Sequence, residues 1–199
     1  MILICNLRSD VLSVTLVKFN KYVMERIAIF PGSFDPFTIG HEEIVKRGLK
    51  MFDKIVIAVG INAVKKEFLD VDTRIAIIRK VFEDVDNVIV MSYSGLTVDF
   101  CEQMGANFII RGLRTAADFE YERAVGQANK AMDSSVETVF LLTSPEHTFI
   151  SSTIVRDIFM NGGNANKFLP TNVTIEDLRD KIPVTTMDAA YMIRPGIGY

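Results

Sequence analysis

Arg26-Ile27-Ala28-Ile29-Phe30 runs straight into Pro31-Gly32-Ser33-Phe34-Asp35-Pro36-Phe37-Thr38-Ile39-Gly40-His41, and that transition decides the fold. The opening run is almost continuously apolar and too short for a helix, which is how a strand buried on both faces of a parallel sheet reads. Two prolines and two glycines then end the strand, and helical period begins near residue 41. The same alternation recurs downstream. Lys54-Ile55-Val56-Ile57-Ala58-Val59, Val88-Ile89-Val90-Met91, Phe108-Ile109-Ile110 and Thr138-Val139-Phe140-Leu141-Leu142 are the further strands, with helices expected at about residues 41–51, 72–82, 97–104, 117–132 and 152–160. The longest of these carries an apolar stripe at Tyr121, Ala124, Val125, Ala128 and Met132, spacings of three and four that keep them on one helix face. Five strands, each followed by a helix, predict an α/β, Rossmann-like, doubly wound five-stranded parallel sheet in a single domain. Ligands of such sheets bind beyond the carboxyl ends of the strands, so the loops there are the places to look.

Composition narrows the function classes. The chain has 199 residues, 49% of them hydrophobic and 24% charged, enough for one sizeable core and incompatible with wholesale disorder. Lys plus Arg total 22 against 25 Asp plus Glu, a net charge of −3, so no global positive field is present to hold nucleic acid or a lipid surface. Any bound anion must be met by a local group of cations. Cys5 and Cys101 are the only cysteines and there are two histidines, which argues against a disulfide scaffold or a Cys/His metal cage and for a cytoplasmic setting. No apolar stretch approaches the length that spans a bilayer, and the apolar start Ile2-Leu3-Ile4-Cys5 lacks the flanks of a secretory signal. Residues 1–24 are expected to be an appendage, with Met24 before the first motif strand as the natural start; an extra strand on the sheet is the alternative. The domain proper is expected over 25–182, and 183–199 reads as a tail.

The loop from Pro31 to His41 fits neither the GxGxxG dinucleotide fingerprint nor the GxxxxGK[ST] phosphate loop, and Val45 rules out HExxH zinc chemistry. It does place His41 on the first turn of a helix, where unpaired backbone N–H groups already favour an anion. By itself, this segment is also compatible with glycines that only permit tight turns and an exposed histidine.

As a whole, the segment resembles the GxFDPxTxGH signature of the nucleotidyltransferases that share the T/HxGH motif. The second half of their pattern, ISSTxxR, matches Ile150-Ser151-Ser152-Thr153-Ile154-Val155-Arg156 at the start of the last expected helix, where the serines could equally serve as caps. Between them, Ile110-Arg111-Gly112-Leu113-Arg114 with Ala117-Asp118-Phe119-Glu120-Tyr121-Glu122 is similar to the pantetheine-phosphate adenylyltransferase family, as are Lys65-Lys66 and Phe168-Leu169-Pro170. The likeness covers about residues 25–182. It implies transfer of an adenylyl group from ATP to 4'-phosphopantetheine, in coenzyme A biosynthesis. Nicotinate or nicotinamide mononucleotide adenylyltransferases share the outer motifs without this centre, and a regulatory module that kept the fold and lost turnover is the other reading.

The resemblance implies roles for particular residues. His41 is the catalytic group, stabilising charge on the α-phosphate. The acceptor would be held by Lys65 and Arg111 at its phosphate, by Ser33, which bridges both substrates, and by Thr97 near the pantetheine arm. ATP would meet Ser33, Phe34, His41, Gly112, Leu113, Arg114, Glu122, His147, Thr148, Phe149, Ile150, Ser151, Ser152 and Thr153. Arg111 is expected at the end of the fourth strand, and Arg114 further along the loop that follows. Three positions depart from the family pattern: Ser33 replaces the commoner Thr, Thr97 an apolar residue, and His147 an aromatic ring. Mg²⁺ is implied by the triphosphate, held mainly by phosphates and water because no carboxylate cage stands out; Asp35 either approaches the ion or stabilises its turn. Coenzyme A as a feedback inhibitor and a homohexamer are further implications of the family.

Overall fold

The computed structural model describes residues 3–5, 14–16, 25–61, 67–179 and 182. In chain order the elements are β1 (Leu3–Cys5), β2 (Val14–Leu16), β3 (Ile27–Gly32), α1 (Ile39–Gly48), β4 (Lys54–Gly60), α2 (Val71–Val81), β5 (Val88–Tyr93), α3 (Thr97–Met104), β6 (Phe108–Leu113), α4 (Ala116–Met132), β7 (Glu137–Leu142), α5 (Ser152–Met160) and α6 (Ile175–Arg179). Single 3-10 turns lie at Pro145–His147 and Asn166–Phe168.

Strands β3 to β7 form one sheet in the order β5-β4-β3-β6-β7, with every neighbouring pair parallel. The chain moves outward from β3 to β5, then returns to lay β6 on the other side of β3. The order therefore reverses between β3 and β6, and connections leaving those strands in opposite directions open a crevice at their carboxyl ends. The expected doubly wound sheet is what forms.

Period-two alternation explains why these strands are apolar throughout. Ala28, Phe30, Ile55, Ile57, Val59 and Ile110 turn to one face and pack with Ile44 and Val45 of α1 and Ile75 and Ile78 of α2. Ile29, Val56, Ala58 and Ile109 turn to the other and pack with Phe100 and Cys101 of α3. A third cluster joins Phe68 and Leu69 to Val155 and Phe159 of α5 and to Leu169, Ile175 and Leu178 around α6. That cluster fixes the late helix against the segment before α2, and the short helix α6 was not legible as a periodic pattern.

One expectation changes. The fourth motif strand does not end at Ile110: β6 runs on through Arg111, Gly112 and Leu113, which pair in register with Phe140, Leu141 and Leu142 of β7. A charged residue and a glycine disguised the end of the strand, whereas the backbone ladder continues regardless of them. The apolar stripe of α4 shares one face as expected, and that face is largely exposed. Tyr121 is 70% exposed, Met132 is 52% exposed, and Ala124 and Ala128 are exposed with them. The helix instead presents Gly126 to β7, where an added Cβ would lie 3.3 Å from Thr138 Oγ1, so close contact with the sheet favours the small residue there. At the chain ends, β1 pairs antiparallel with β2 in a two-stranded sheet of its own. The rest of the expected appendage and the tail over 183–199 lie outside the described residues, as does Lys65.

Candidate active site

The loop after β3 is shaped by a close approach. A Cβ on Gly32 would stand 2.8 Å from the Phe34 ring, and Phe34 itself has a left-handed backbone with φ of 49°. A non-glycine residue there is strained, and it is held by packing: the Phe34 ring is buried among Phe30, Phe37 and His41, with centroid separations of 5.2, 5.4 and 5.2 Å. Asp35 is buried, and its two carboxylate oxygens accept the backbone N–H groups of Phe68 and Leu69, both at 2.9 Å. Of its two expected roles, the carboxylate serves to stitch the loop. Arg74, also buried, donates from Nη1 to the Ser33 carbonyl at 2.8 Å and from Nη2 to the Glu67 carboxylate. The motif loop and the segment just before α2 are thus tied by two buried charged side chains, of which Arg74 had no role assigned from the sequence.

The early and late motifs also touch directly. Ser152 Oγ donates to the Pro36 carbonyl at 2.9 Å, and Arg156 Nη1 donates to the Asp35 carbonyl. Ser151 caps α5 by accepting the Ile154 N–H at 3.2 Å. Its capping reading and its place beside the cavity therefore coexist.

A cavity of about 280 Å³ opens at the switch point between β3 and β6. Of the expected residues it brings together Ser33, Phe34, His41, Arg111, Gly112, Arg114, Glu122, His147, Ile150, Ser151 and Ser152. Thr38, Asp118 and Thr143 also line it and were missed as site residues. Leu113, Thr148, Phe149 and Thr153 are not in its lining; Leu113 is buried, while Phe149 is 57% exposed. The first turns of α1 and α5 both border the cavity, so unpaired helix N–H groups meet in the space an anion would occupy.

His41 is fixed in tautomer. The Thr38 backbone N–H, which can only donate, points at Nδ1 from 3.0 Å, so the neutral ring carries its proton on Nε2. Burial, with the nearby charges of Arg114 and Arg111, lowers the His41 pKa to about 4. At neutral pH the side chain is an uncharged imidazole with one N–H left to donate.

The arginines that flank it are each paired with a carboxylate of α4. Arg111 donates from Nε to Glu122 Oε2 at 2.7 Å, from Nη2 to Glu122 Oε1 and from Nη1 to the Pro31 carbonyl at 2.7 Å. Arg114 meets Asp118 with its backbone N–H and Nε, both at 3.1 Å, and reaches the Ile150 carbonyl with Nη1 at 3.4 Å. The i,i+4 spacing of Arg114 and Asp118 and the shared DFEYE run were the sequence signal for these pairs.

A second cavity, of about 440 Å³, lies next to the first and shares Pro31, Gly32, Ser33, Arg111 and Glu122 with it. Thr97 falls here, its Oγ1 3.1 Å from the Tyr93 hydroxyl, beside Gly60, Ile61, Tyr121, Val125 and Asn129. The Arg111–Glu122 pair and Ser33 therefore form a wall common to a compact, charged cavity and a wider, mixed one. Among the described residues no group of three His, Cys, Asp or Glu side chains could hold a metal ion, and Asp35, Asp118 and Glu122 are all engaged by donors.

A Rossmann-like sheet whose two motifs meet at the switch point, with a donor histidine and two arginines in the crevice, defines a nucleotidyltransferase-type domain. Residues 29–158 match the cytidylyltransferase-like family model. A crystal structure from Vibrio parahaemolyticus, provisionally assigned as a nicotinate-nucleotide adenylyltransferase, is similar in fold, with a TM-score of 0.58 at 22% identity over 75% of this chain and 96% of that one. Within that class the chain belongs to the phosphopantetheine adenylyltransferase family. It is 49% identical to the phosphopantetheine adenylyltransferase of Flavobacterium psychrophilum over 76% of this chain and 99% of the relative. With the enzyme of that name from Cytophaga hutchinsonii it shares 51% identity over 75% of this chain and all of the relative, and with that from Lachnoclostridium phytofermentans 43% over 78% and 95%.

Proposed function

We propose that the chain transfers the adenylyl group of ATP to the phosphate of 4'-phosphopantetheine, giving dephospho-coenzyme A and pyrophosphate, with ATP in the compact cavity and the acceptor in the wider one. The observation that carries this division is the common wall of Ser33, Arg111 and Glu122 between two adjoining cavities. An acceptor phosphate oxygen attacks the α-phosphorus, the bond to the β-phosphate bridging oxygen breaks, and pyrophosphate leaves with that oxygen. One phosphoanhydride replaces another, so the reaction is freely reversible.

The chemistry asks for alignment of two polyanions more than for a base, since the nucleophile is already ionised at neutral pH. Arg111 and Ser33, with Lys65 from outside the described residues, would hold the acceptor phosphate. Arg114 and the first turns of α1 and α5 would hold the phosphates of ATP. His41 would donate its Nε2–H to the α-phosphate, a contact that strengthens as charge builds there. Mg²⁺, when bound, supplies charge neutralisation of the triphosphate, and it would be held by phosphates and water because the nearby carboxylates are already engaged.

The same proposal includes a homohexamer, coenzyme A as a feedback inhibitor and a cytoplasmic location. The exposed apolar stripe on α4 supports self-association, since a second copy would cover it. Coenzyme A shares the pantetheine arm of the acceptor and would compete for the wider cavity. Among the described residues no helix is long and apolar enough to cross a membrane.

The test is pyrophosphate release from MgATP with 4'-phosphopantetheine beside nicotinamide mononucleotide. Turnover with the first acceptor is expected; turnover with the second alone would refute the assignment.

A further inference from the structure

The two histidines of the chain line the same cavity, and their rings are fixed in opposite senses. His41 accepts at Nδ1 from a backbone N–H. His147 has its Nδ1 2.7 Å from Glu43 Oε2. Glu43 stands on α1 two residues after His41 and is clamped in turn: Arg47 Nη1 donates to its Oε1 at 2.9 Å, and the Ser144 hydroxyl donates to the same oxygen. Burial opposes the charge on Glu43, yet hydrogen bonds from Ser144, His147 and Arg47 outweigh it and lower the pKa to about 2. The carboxylate is therefore ionised under any working condition and takes an Nδ1 that bears a proton. Only Nε2 of His147 is left for a ligand, and the ring is held by a chain of contacts that crosses from α1 to the turn at Pro145–His147.

We propose that Glu43 is a positioning residue that fixes His147 as a nucleotide contact of this cavity. The inference rests on the nucleotide reading of the compact cavity and goes beyond it by assigning Glu43, which lies outside every motif that suggested the function. A carboxylate that merely anchored α1 to the following turn would need Arg47 and Ser144 alone. Here the remaining oxygen is spent on the one side chain of that turn that faces the cavity. The arrangement parallels histidines held by a carboxylate behind the ring in other sites, where the partner sets both tautomer and orientation.

The experiment is a double-mutant cycle read by ATP affinity, measured calorimetrically on the full chain without acceptor. Glu43→Ala and His147→Ala are each expected to weaken ATP about fivefold to twentyfold. The double variant should be no weaker than His147→Ala alone, and the KM for 4'-phosphopantetheine should stay within about twofold. Glu43→Gln retains the size and an acceptor oxygen, guarding against simple misfolding; it should weaken ATP about twofold to fivefold, and only when His147 is present. Losses that multiply across the cycle, or a Glu43→Gln loss that persists without His147, would overturn the inference while the unaltered chain still binds ATP and turns over. An unaltered chain that takes up no ATP would overturn the functional reading and this inference with it.

Discussion

The two cavities on either side of the Arg111–Glu122 pair are built on different plans. The side we assign to the nucleotide is compact and braced by hydrogen bonds. Two helix N-termini, a half-buried histidine of fixed tautomer and Arg114 on Asp118 surround it, and Ser152 and Arg156 bind the early motif to the late one across the fold. The side we assign to the acceptor is wider and mixed, with Ile61, Tyr93, Tyr121 and Val125 among its lining, and its charged residues are confined to the shared wall. The difference teaches where each kind of recognition comes from. Phosphate binding and in-line chemistry need donors held in place before the substrate arrives, and buried hydrogen bonds supply that. A long, flexible arm needs area and a few polar contacts, which common side chains from several elements can provide.

The strongest way to break that contrast is His41→Ala. It is expected to lower kcat by about 10² to 10³ while ATP affinity falls far less, as for loss of a donor whose contact strengthens in the transition state. Steady-state kinetics beside calorimetric ATP binding decide it, and near-normal kcat would reduce His41 to a helix residue. Next comes Arg74→Met, which removes the donors that hold the Ser33 carbonyl and Glu67. It should cost about 1 to 3 kcal/mol of stability and raise the KM for both substrates, because Ser33 lines both cavities. Chemical denaturation and paired KM values would show it, and an unchanged KM for either substrate would count against Ser33 as part of a common wall.

Acidification offers a gentler probe. The His41 pKa of about 4 lies below its ordinary value of 6.5, so between those limits the unfolded chain binds the extra proton and the folded chain does not. The folded state therefore loses stability as pH falls from about 6.5 to 4, and His41→Gln should flatten this part of the curve. Melting temperature followed from pH 7 to 4 in both proteins measures it; identical slopes would contradict the neutral imidazole with a lowered pKa. Smallest of all is deletion of residues 1–23, which should leave turnover and melting temperature nearly unchanged. Relatives are matched almost end to end by about three-quarters of this chain, and the motif strand begins at Ile27. A large fall in melting temperature would show that the segment contributes to the stability of the domain.

The same contrast explains what was legible in the sequence. Strands β3 to β6 announced themselves because burial on both faces demands apolar residues at every position, and the nucleotide loops because their spacing is specific. Arg111 was placed at the strand end and Gly112 and Leu113 in the loop after it, since side-chain chemistry hides a continuing backbone ladder. The stripe on α4 was correctly placed on one face, but periodicity cannot say which face meets the sheet, and Gly126 does. Asp35 was legible as a turn stabiliser but not for its partners Phe68 and Leu69, and Glu43 and Arg74 escaped notice because each acts through partners distant in sequence that no local pattern encodes. The wider cavity was legible only at Ser33, Thr97 and Arg111, since Tyr93, Tyr121 and Asn129 are ordinary residues until the fold gathers them.

The central claim is that one wall divides donor from acceptor, and the two arginines beside it test that most directly. KM values for ATP and for 4'-phosphopantetheine should be measured in Arg111→Ala and Arg114→Ala. Each charge-assisted contact is worth about 1.5 to 3 kcal/mol, or roughly tenfold to a few hundredfold in an equilibrium constant. Arg111→Ala should raise the acceptor KM by that order with the ATP value little changed, and Arg114→Ala should do the reverse. If both variants weaken the same substrate, or neither weakens any, the division is wrong.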